Sequence, residues 1–166
     1  MDEFQLIATF ITHPNHHELF RSKDLVVEWA RTYPMLFDDD DLRVAENQAH
    51  IGYHFYEWLA AVLIYHSFGY LSLIEKYEFK THPQKQQILR RLAPRQVVDF
   101  ILHRKGYGRV QCPDLLVYLP DYSDWFFCEV KGPRDKLRED QVNLFNALAE
   151  ISGKDIRLVE FRYQHI

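Results

Sequence analysis

Two carboxylates and an amine in the second half of the chain have types and spacing suited to catalysis. Asp114 follows Pro113, and Glu129 and Lys131 come fifteen and seventeen residues after Asp114. Carboxylate oxygens suit Mg²⁺ or Mn²⁺, which usually keep several waters and accept phosphate oxygens as further ligands. A nearby ammonium can hydrogen-bond an attacking water or a phosphate. A lone Glu-x-Lys is also an ordinary charged alternation at a strand end, but combined with Pro113-Asp114 it indicates a metal-dependent phosphodiesterase site.

The residues between the two carboxylates predict a β-hairpin. Two runs of strand-favouring residues flank the turn-forming sequence Pro-Asp-Tyr-Ser, namely Leu115–Leu119 and Trp125–Cys128. If Leu119 pairs with Asp124, then Asp114 lies opposite Glu129 and Lys131 points to the same face. A slip of one residue would separate the carboxylates, so the chemistry motivates this register. Both runs are apolar on each face, which indicates a sheet covered on both sides.

A helix predicted after the hairpin carries a polar residue on its apolar face. From Leu137 to Ile151 the apolar residues repeat at helical spacing, and Gln141 lies within that stripe. A polar side chain on a buried face needs a hydrogen-bond partner, which is either a backbone group of the core or a residue of the site. Gly153 ends the predicted helix, and the following run Ile156–Phe161 predicts a strand that returns to the sheet.

These motifs resemble those of the PD-(D/E)XK nuclease superfamily. The residues that carry the resemblance are Pro113-Asp114, Glu129-Val130-Lys131 and the continuation from Gly132 to Gln141. Together they resemble the VRR-NUC domain of the Fanconi-associated nuclease type. The resemblance covers about residues 105 to 162, with a weaker match from about 50 to 80, and it does not extend to the first 45 residues. It implies a restriction-endonuclease-like α/β core, in which a mixed central β-sheet is flanked by helices.

The resemblance also implies an activity and a set of site residues. It predicts divalent-metal-dependent cleavage of DNA, with Asp114, Glu129 and Val130 as ligands of Mg²⁺ or Mn²⁺. Lys131 would position or activate the attacking water, and Gln141 would lie beside it. PD-(D/E)XK nucleases often recruit another carboxylate from an upstream helix, and the best candidate here is Glu57.

Glu57 opens a run of residues that is apolar around the whole helix circumference, which predicts a buried helix ending at Gly69-Tyr70. The alternative carboxylate is Glu46, eleven residues earlier, which would share a helix face with Glu57 if one helix began near Leu42. A charged residue at a helix start is also stabilised by the macrodipole, without a role in catalysis.

The distribution of charge bears on nucleic-acid binding. The net charge of −4 argues against it, but residues 80 to 110 hold eight basic residues and one acidic residue, whereas residues 1 to 60 hold four basic and eleven acidic residues. The basic segment leads into the Pro-Asp motif, so it predicts a phosphate-binding surface, although a solvated helix face would have the same composition. The candidate DNA contacts are Arg104, Lys105, Arg109, Arg134 and Lys136.

The rest of the chain sets the predicted organisation. We expect residues 1–45 to be a helical extension, with helices around 3–12 and 24–33, and residues 46–166 to be the nuclease domain. The acidic run Asp38 to Asp41 is most simply a solvated linker, although it could bind a basic protein partner. Two further helices are predicted from Pro83 to Leu92 and from Pro94 to Lys105. The resemblance implies that they are an insertion of the kind that the Fanconi-associated type carries, which favours a monomer over a homodimer.

Composition excludes several classes of protein. The chain of 166 residues is 47% apolar, enough to bury a core, and its sequence has no apolar run of membrane-span length. Its two cysteines are expected to be reduced, which fits a cytoplasmic protein acting on DNA, and its histidines lack a zinc-binding pattern. Besides a structure-specific repair nuclease, the sequence allows a toxic DNase domain neutralised by an immunity protein, a non-catalytic binding module, or RNA as the substrate.

Overall fold

One mixed β-sheet lies at the centre of the computed structural model, which describes residues 4–74, 77–78, 82–103 and 106–164. Its strand order is β1-β5-β4-β3-β2, with β1, β5 and β4 parallel and with β3 antiparallel to both β4 and β2. The strands are β1 Gln5–Thr12, β2 Leu71–Ile74, β3 Leu115–Tyr118, β4 Trp125–Lys131 and β5 Arg157–Tyr163. The helices are α1 Pro14–Arg21, α2 Asp24–Thr32, α3 Asp39–Ala49, α4 Phe55–Phe68, α5 Pro83–Leu92, α6 Arg95–His103 and α7 Glu139–Ser152. The predicted α/β architecture, a mixed central sheet flanked by helices, is confirmed.

The predicted register of the hairpin is also confirmed. Leu115 pairs with Cys128 and Tyr118 pairs with Trp125, and the Leu119 N–H donates to the Asp124 carbonyl at 2.9 Å. The same register places the residue before β3 opposite Glu129. Because both strands are buried on both faces, a slip of one residue would exchange the two sets of core side chains.

Helices cover both faces of the sheet, as the apolar hairpin strands predicted. On one face, Leu115, Val117, Phe126 and Cys128 pack with helices α2 to α4. On the other, Leu116, Tyr118, Trp125 and Phe127 pack with helices α5 to α7. Cys128 therefore points away from the face that carries Glu129, and both cysteines are buried and free of a disulfide. Helix α4 is buried or half-buried from Phe55 to Tyr65 and exposed over its last three residues. It ends at Gly69, whose φ of 75° is readily accessible to glycine.

The first strand corrects the expectation of a helix over residues 3–12. Residues Gln5–Thr12 form β1, which lies at the sheet edge in parallel pairing with β5. This run has β-branched residues at Ile7, Thr9, Ile11 and Thr12, and its partner strand is about 150 residues away, which local spacing does not reveal. Helix α1, which the sequence analysis did not predict, follows directly, with His13 as its N-cap and Pro14 in its first turn.

The acidic run is part of a helix rather than a solvated linker. Asp38 caps α3 in a capping box with Asp41, and the Asp41 carboxylate is buried against Lys85 of helix α5. Glu46 lies on α3, and a turn over residues 50–54 separates this helix from α4, so the single helix that would have aligned Glu46 with Glu57 is not formed. Helices α2, α5 and α6 agree with their predicted positions. Among the described residues, no helix has the length and apolar character needed to cross a membrane.

Candidate active site at the end of the hairpin

The hairpin holds two carboxylates against each other where β3 begins. The Asp114 N–H donates to Glu129 Oε1 at 3.1 Å, and the Val130 N–H donates to Asp114 Oδ2 at 2.9 Å. The Glu129 carboxylate thus accepts a hydrogen bond from the backbone of Asp114, and the Asp114 carboxylate accepts one from the backbone of the residue after Glu129. Glu129 is only 2% exposed, so its position depends on these bonds and on its other partners.

Gln141 and Lys131 complete the hydrogen bonding of Glu129. The Gln141 amide donates to Glu129 Oε2 at 2.9 Å, and Lys131 Nζ lies 2.9 Å from the same oxygen. The Gln141 Oε1 atom accepts from Lys131 Nζ at 3.3 Å and from the Arg138 N–H at 3.1 Å. The polar residue in the apolar stripe of α7 therefore bonds to the carboxylate–lysine pair, and it also caps the first turn of its own helix.

Charge repulsion is concentrated on Asp114. Burial raises the pKa of Asp114 well above its ordinary value, and the nearby carboxylates of Glu129 and Glu57 raise this pKa further. The hydrogen bond from the Val130 N–H acts in the opposite direction. Three carboxyl groups thus lie near one another, and the Lys131 ammonium bonds to one of them, Glu129. A divalent cation would relieve the repulsion between these carboxyl groups.

These residues line an open cleft. A cavity of about 360 Å³ is bounded by Glu57, Asp114, Glu129, Val130, Lys131, Asp135, Lys136, Arg138 and Gln141. Seven residues indicated by the sequence, including Glu57 from the first turn of α4, therefore face one solvent-accessible space. A second cavity of about 290 Å³ shares Glu57 and Asp114 with the first and extends towards His54 and Tyr77.

The donor set of the cleft fits Mg²⁺ or Mn²⁺. Its candidate ligands are the carboxylates of Asp114, Glu129 and Glu57 and the carbonyl oxygen of Val130, all hard oxygen donors. Within the described part of the chain, no three His, Cys, Asp or Glu side chains are already arranged to hold an ion by themselves. Water and main-chain oxygens would therefore complete the coordination, as is usual for Mg²⁺.

The loop after Lys131 approaches helix α4 closely. A Cβ atom at Gly132 would lie 3.0 Å from the Tyr56 ring and 3.1 Å from Asp135 Oδ2, so a larger residue would push the loop away. The Gly132 N–H donates to Asp135 Oδ2 at 3.0 Å. Asp135 is not among the candidate site residues that the sequence indicated, although an Asp shortly after a Gly-Pro step is a turn signal.

Two more residues that the sequence analysis missed hold the Pro-Asp segment. The Tyr77 hydroxyl donates to the Pro113 carbonyl at 2.7 Å, and Glu78 Oε2 accepts from the Cys112 N–H at 2.7 Å. Both bonds span more than thirty residues of sequence. No local pattern marks either residue, because their partners are backbone groups.

The basic residues divide into several groups. Arg109, Arg134 and Lys136 are exposed, and Lys136 lines the cleft, whereas Arg109 lines a separate cavity beside α7. Arg104 and Lys105 lie outside the described residues. In the basic segment Lys85 is buried, and the Arg91 guanidinium lies 4.0 Å from the centre of the Tyr122 ring. Part of that segment therefore serves internal packing instead of offering a surface to phosphate.

Comparison with known proteins gives a limited result. No family model matches the chain, and no curated protein matches it. Among solved structures, a match is found to the crystal structure of paFAN1 bound to DNA with a two-nucleotide 5′ flap and a gap, at 15% sequence identity and a TM-score of 0.47. The match covers 99% of this chain and 38% of that one, so the chain spans well under half of its length. A likeness at this level assigns neither a family nor an activity to the chain.

Proposed function

We propose that this protein is a divalent-metal-dependent nuclease that hydrolyses phosphodiester bonds in DNA. The observation that carries the proposal is the clustering of the Asp114, Glu129 and Glu57 carboxyl groups at an open cleft, with Lys131 bonded to Glu129. Structural ion pairs are usually balanced, whereas an excess of carboxyl groups beside a solvent-accessible space is suited to a hard cation. The sequence resemblance to PD-(D/E)XK nucleases supports the same assignment.

Within this proposal Asp114, Glu129, Glu57 and the Val130 carbonyl would hold Mg²⁺ or Mn²⁺. A bound ion would lower the pKa of a water and offset charge on the phosphate. The Asp114 carboxylate accepts from the Val130 N–H, and the Glu129 carboxylate accepts from the Asp114 N–H. These bonds keep both carboxylates in place before substrate arrives.

Lys131 has a separate role. Two acceptors, Glu129 Oε2 and Gln141 Oε1, lie within hydrogen-bond distance of its ammonium, which carries three N–H donors. The remaining donor can bond to the attacking water or to a phosphate oxygen in the cleft. Gln141 holds both Glu129 and Lys131, so it fixes the distance between the carboxylate and the amine.

Exposed cations at the cleft mouth would bind the DNA backbone. Lys136 lines the cleft, and Arg134 lies two residues before it on the same loop. Phosphate contacts of this kind position the duplex without reading its sequence. We infer that recognition depends on the shape of the DNA, which favours a structure-specific repair nuclease over a sequence-specific one.

The test is a cleavage assay on labelled single-stranded, duplex, flap and four-way-junction DNA and on the matching RNA. Wild type, Lys131→Ala and the control Lys154→Ala would be compared with Mg²⁺, Mn²⁺ or EDTA. Lys154 pairs with Asp124 at the other end of the hairpin, at 3.6 Å, so its loss should leave cleavage unchanged. We expect metal-dependent DNA cleavage that only Lys131→Ala removes.

Two results would contradict the proposal. DNA binding without cleavage under every metal condition would indicate a non-catalytic binding module. Cleavage that survives both EDTA and Lys131→Ala would place the activity elsewhere or in a contaminant.

A further inference from the structure

We propose that Tyr77 and Glu78 are positioning residues that hold Asp114 in its active orientation. The proposal rests on the proposed function, because it assigns a role in the same site. Neither residue is among those indicated by the sequence, and both lie in the short segment after β2. They act on the backbone of the Pro-Asp motif and not on substrate.

The backbone of three successive residues is held by three different side chains. The Cys112 N–H donates to Glu78 Oε2, the Pro113 carbonyl accepts from the Tyr77 hydroxyl, and the Asp114 N–H donates to Glu129 Oε1. These distances are 2.7, 2.7 and 3.1 Å. Side chains from two separate segments therefore fix the segment from Cys112 to Asp114.

Among the described residues, the segment from Cys112 to Asp114 takes no part in sheet pairing. The described pairs of β3 with β2 and with β4 begin at Leu115, which lies opposite Ile74 and Cys128. Pro113 has no N–H and can use only its carbonyl as a backbone hydrogen-bonding group. The bond from Tyr77 to that carbonyl thus restrains the residue immediately before Asp114.

The two side chains that hold the Pro-Asp backbone, Tyr77 and Glu78, are both buried. Tyr77 is 2% exposed, and its ring stacks on Phe127 with centroids 6.2 Å apart, which fixes the direction of its hydroxyl. Glu78 is 8% exposed and lines the second cavity together with Glu57 and Asp114. A shift of about 1 Å in Asp114 would move one carboxylate away from Glu129, and displacements of this size cost about 100-fold in rate.

The experiment compares Tyr77→Phe with Tyr70→Phe. The Tyr70 hydroxyl donates to Asp124 Oδ2 at 2.8 Å, at the opposite end of the same hairpin, so it is a matched hydrogen bond away from the site. Cleavage of a flap duplex would be measured as a function of Mn²⁺ concentration, and Mn²⁺ binding without DNA would be measured by calorimetry. We expect Tyr77→Phe to lower kcat about 10- to 100-fold and to weaken Mn²⁺ binding, with KM for DNA unchanged. Tyr70→Phe should change neither property.

Glu78 provides a second, independent variant. Glu78→Gln keeps an oxygen that can accept from the Cys112 N–H, so it should retain kcat within about threefold, whereas Glu78→Ala should lose about tenfold or more. Rescue by the conservative variant would separate a positioning role from a requirement for charge.

The outcomes distinguish the two proposals. Equal kcat and equal Mn²⁺ binding in wild type, Tyr77→Phe and Glu78→Ala would overturn the positioning role. A wild type that binds Mn²⁺ but cleaves none of the substrates would overturn the proposed nuclease function, while weaker Mn²⁺ binding in Tyr77→Phe would still support positioning. A wild type that neither binds Mn²⁺ nor cleaves would overturn both.

Discussion

Two buried lysine–carboxylate pairs lie in different regions of the molecule and serve different purposes. Lys131 and Glu129 meet at 2.9 Å at the end of the hairpin, and Lys85 and Asp41 meet at 2.7 Å between helices α5 and α3. Their lysine side chains are 16% and 6% exposed. Burial and distance are therefore similar, and neither quantity alone would identify the proposed active site.

The surroundings of the two pairs differ. Lys85 also donates to the Ile74 carbonyl, and Asp41 also accepts from the Asp38 N–H, so this pair joins helix α5 to the sheet and to α3. Lys131 instead lines an open cleft that also holds the three carboxyl groups of the candidate site and the Gln141 amide. The comparison teaches that unbalanced charge next to accessible space, more than a buried ion pair as such, marks a site of chemistry.

The largest expected effect comes from replacing each of the two lysines by Met and comparing kcat and stability. Lys131→Met should lower kcat about 10²- to 10³-fold, because it removes a donor aimed at the reacting groups. Lys85→Met should instead cost about 3–5 kcal/mol of unfolding free energy, since it leaves Asp41 buried without its partner. Urea denaturation and single-turnover cleavage at a temperature where both variants are folded would measure the two quantities. Equal losses of kcat in the two folded variants would contradict the conclusion that only Lys131 has a role in catalysis.

Asp114→Asn tests whether repulsion between the carboxylates of the cleft destabilises the folded protein. The folded-state pKa of Asp114 is raised, so the folded state binds a proton more tightly than the unfolded state does, and stability from this group falls as pH rises above about 4. Asn removes that loss, so the metal-free variant should melt a few degrees higher than wild type at pH 8 and not at pH 4. Scanning calorimetry at both values, with and without Mn²⁺, would measure this. The account would be contradicted if the variant melted lower than wild type at pH 8 in EDTA.

A smaller pH effect is expected from the structural pair. Burial raises the pKa of Asp41 to about 6, although Lys85 lowers it. Stability from Asp41 is fully present below its unfolded pKa and is lost as pH rises through about 6, so the stability of wild type relative to Asp41→Asn should fall by about 2 kcal/mol from pH 4.5 to 7.5. Urea denaturation at the two values measures this difference, and added Mn²⁺ should not alter it. A difference independent of pH would show that Asp41 has an ordinary pKa in the folded protein.

The smallest expected effect concerns the exposed cations. The double variant Arg134→Ala, Lys136→Ala should weaken DNA binding and reduce the slope of log affinity against log salt by about 2, with kcat unchanged. The matched control is Arg90→Ala, Arg95→Ala, because these two arginines are exposed on helices α5 and α6. Fluorescence anisotropy over a salt series would compare them. The loop after Lys131 would not be the DNA-contacting surface if only the control changed the slope.

Local and hairpin features of the fold could be predicted from the sequence, whereas long-range pairings could not. The hairpin register, the buried helix α4 and the helix that carries Gln141 follow from apolar patterns and turn residues. Strand β1 was predicted as a helix because its identity depends on a distant partner, β5. The same reason applies to the acidic run, whose Asp41 meets Lys85 forty-four residues later.

The residues of the candidate site likewise divide into those that the sequence indicates and those that it does not. Asp114, Glu129, Lys131 and Gln141 could be chosen because a motif and a polar break in an apolar stripe point to them. Tyr77 and Glu78 could not, because their partners are the backbone of Pro113 and Cys112, and a backbone partner leaves no mark on residue type. Lys85 looked like part of a basic surface until its burial against Asp41 was seen.

The most direct test of the central claim is Mn²⁺ binding measured by calorimetry in wild type, Glu129→Gln and Asp41→Asn. The account predicts that wild type and Asp41→Asn bind Mn²⁺ alike and that Glu129→Gln binds it at least about tenfold more weakly. Equal binding in all three proteins would contradict the claim that the carboxylates at the end of the hairpin form the metal site.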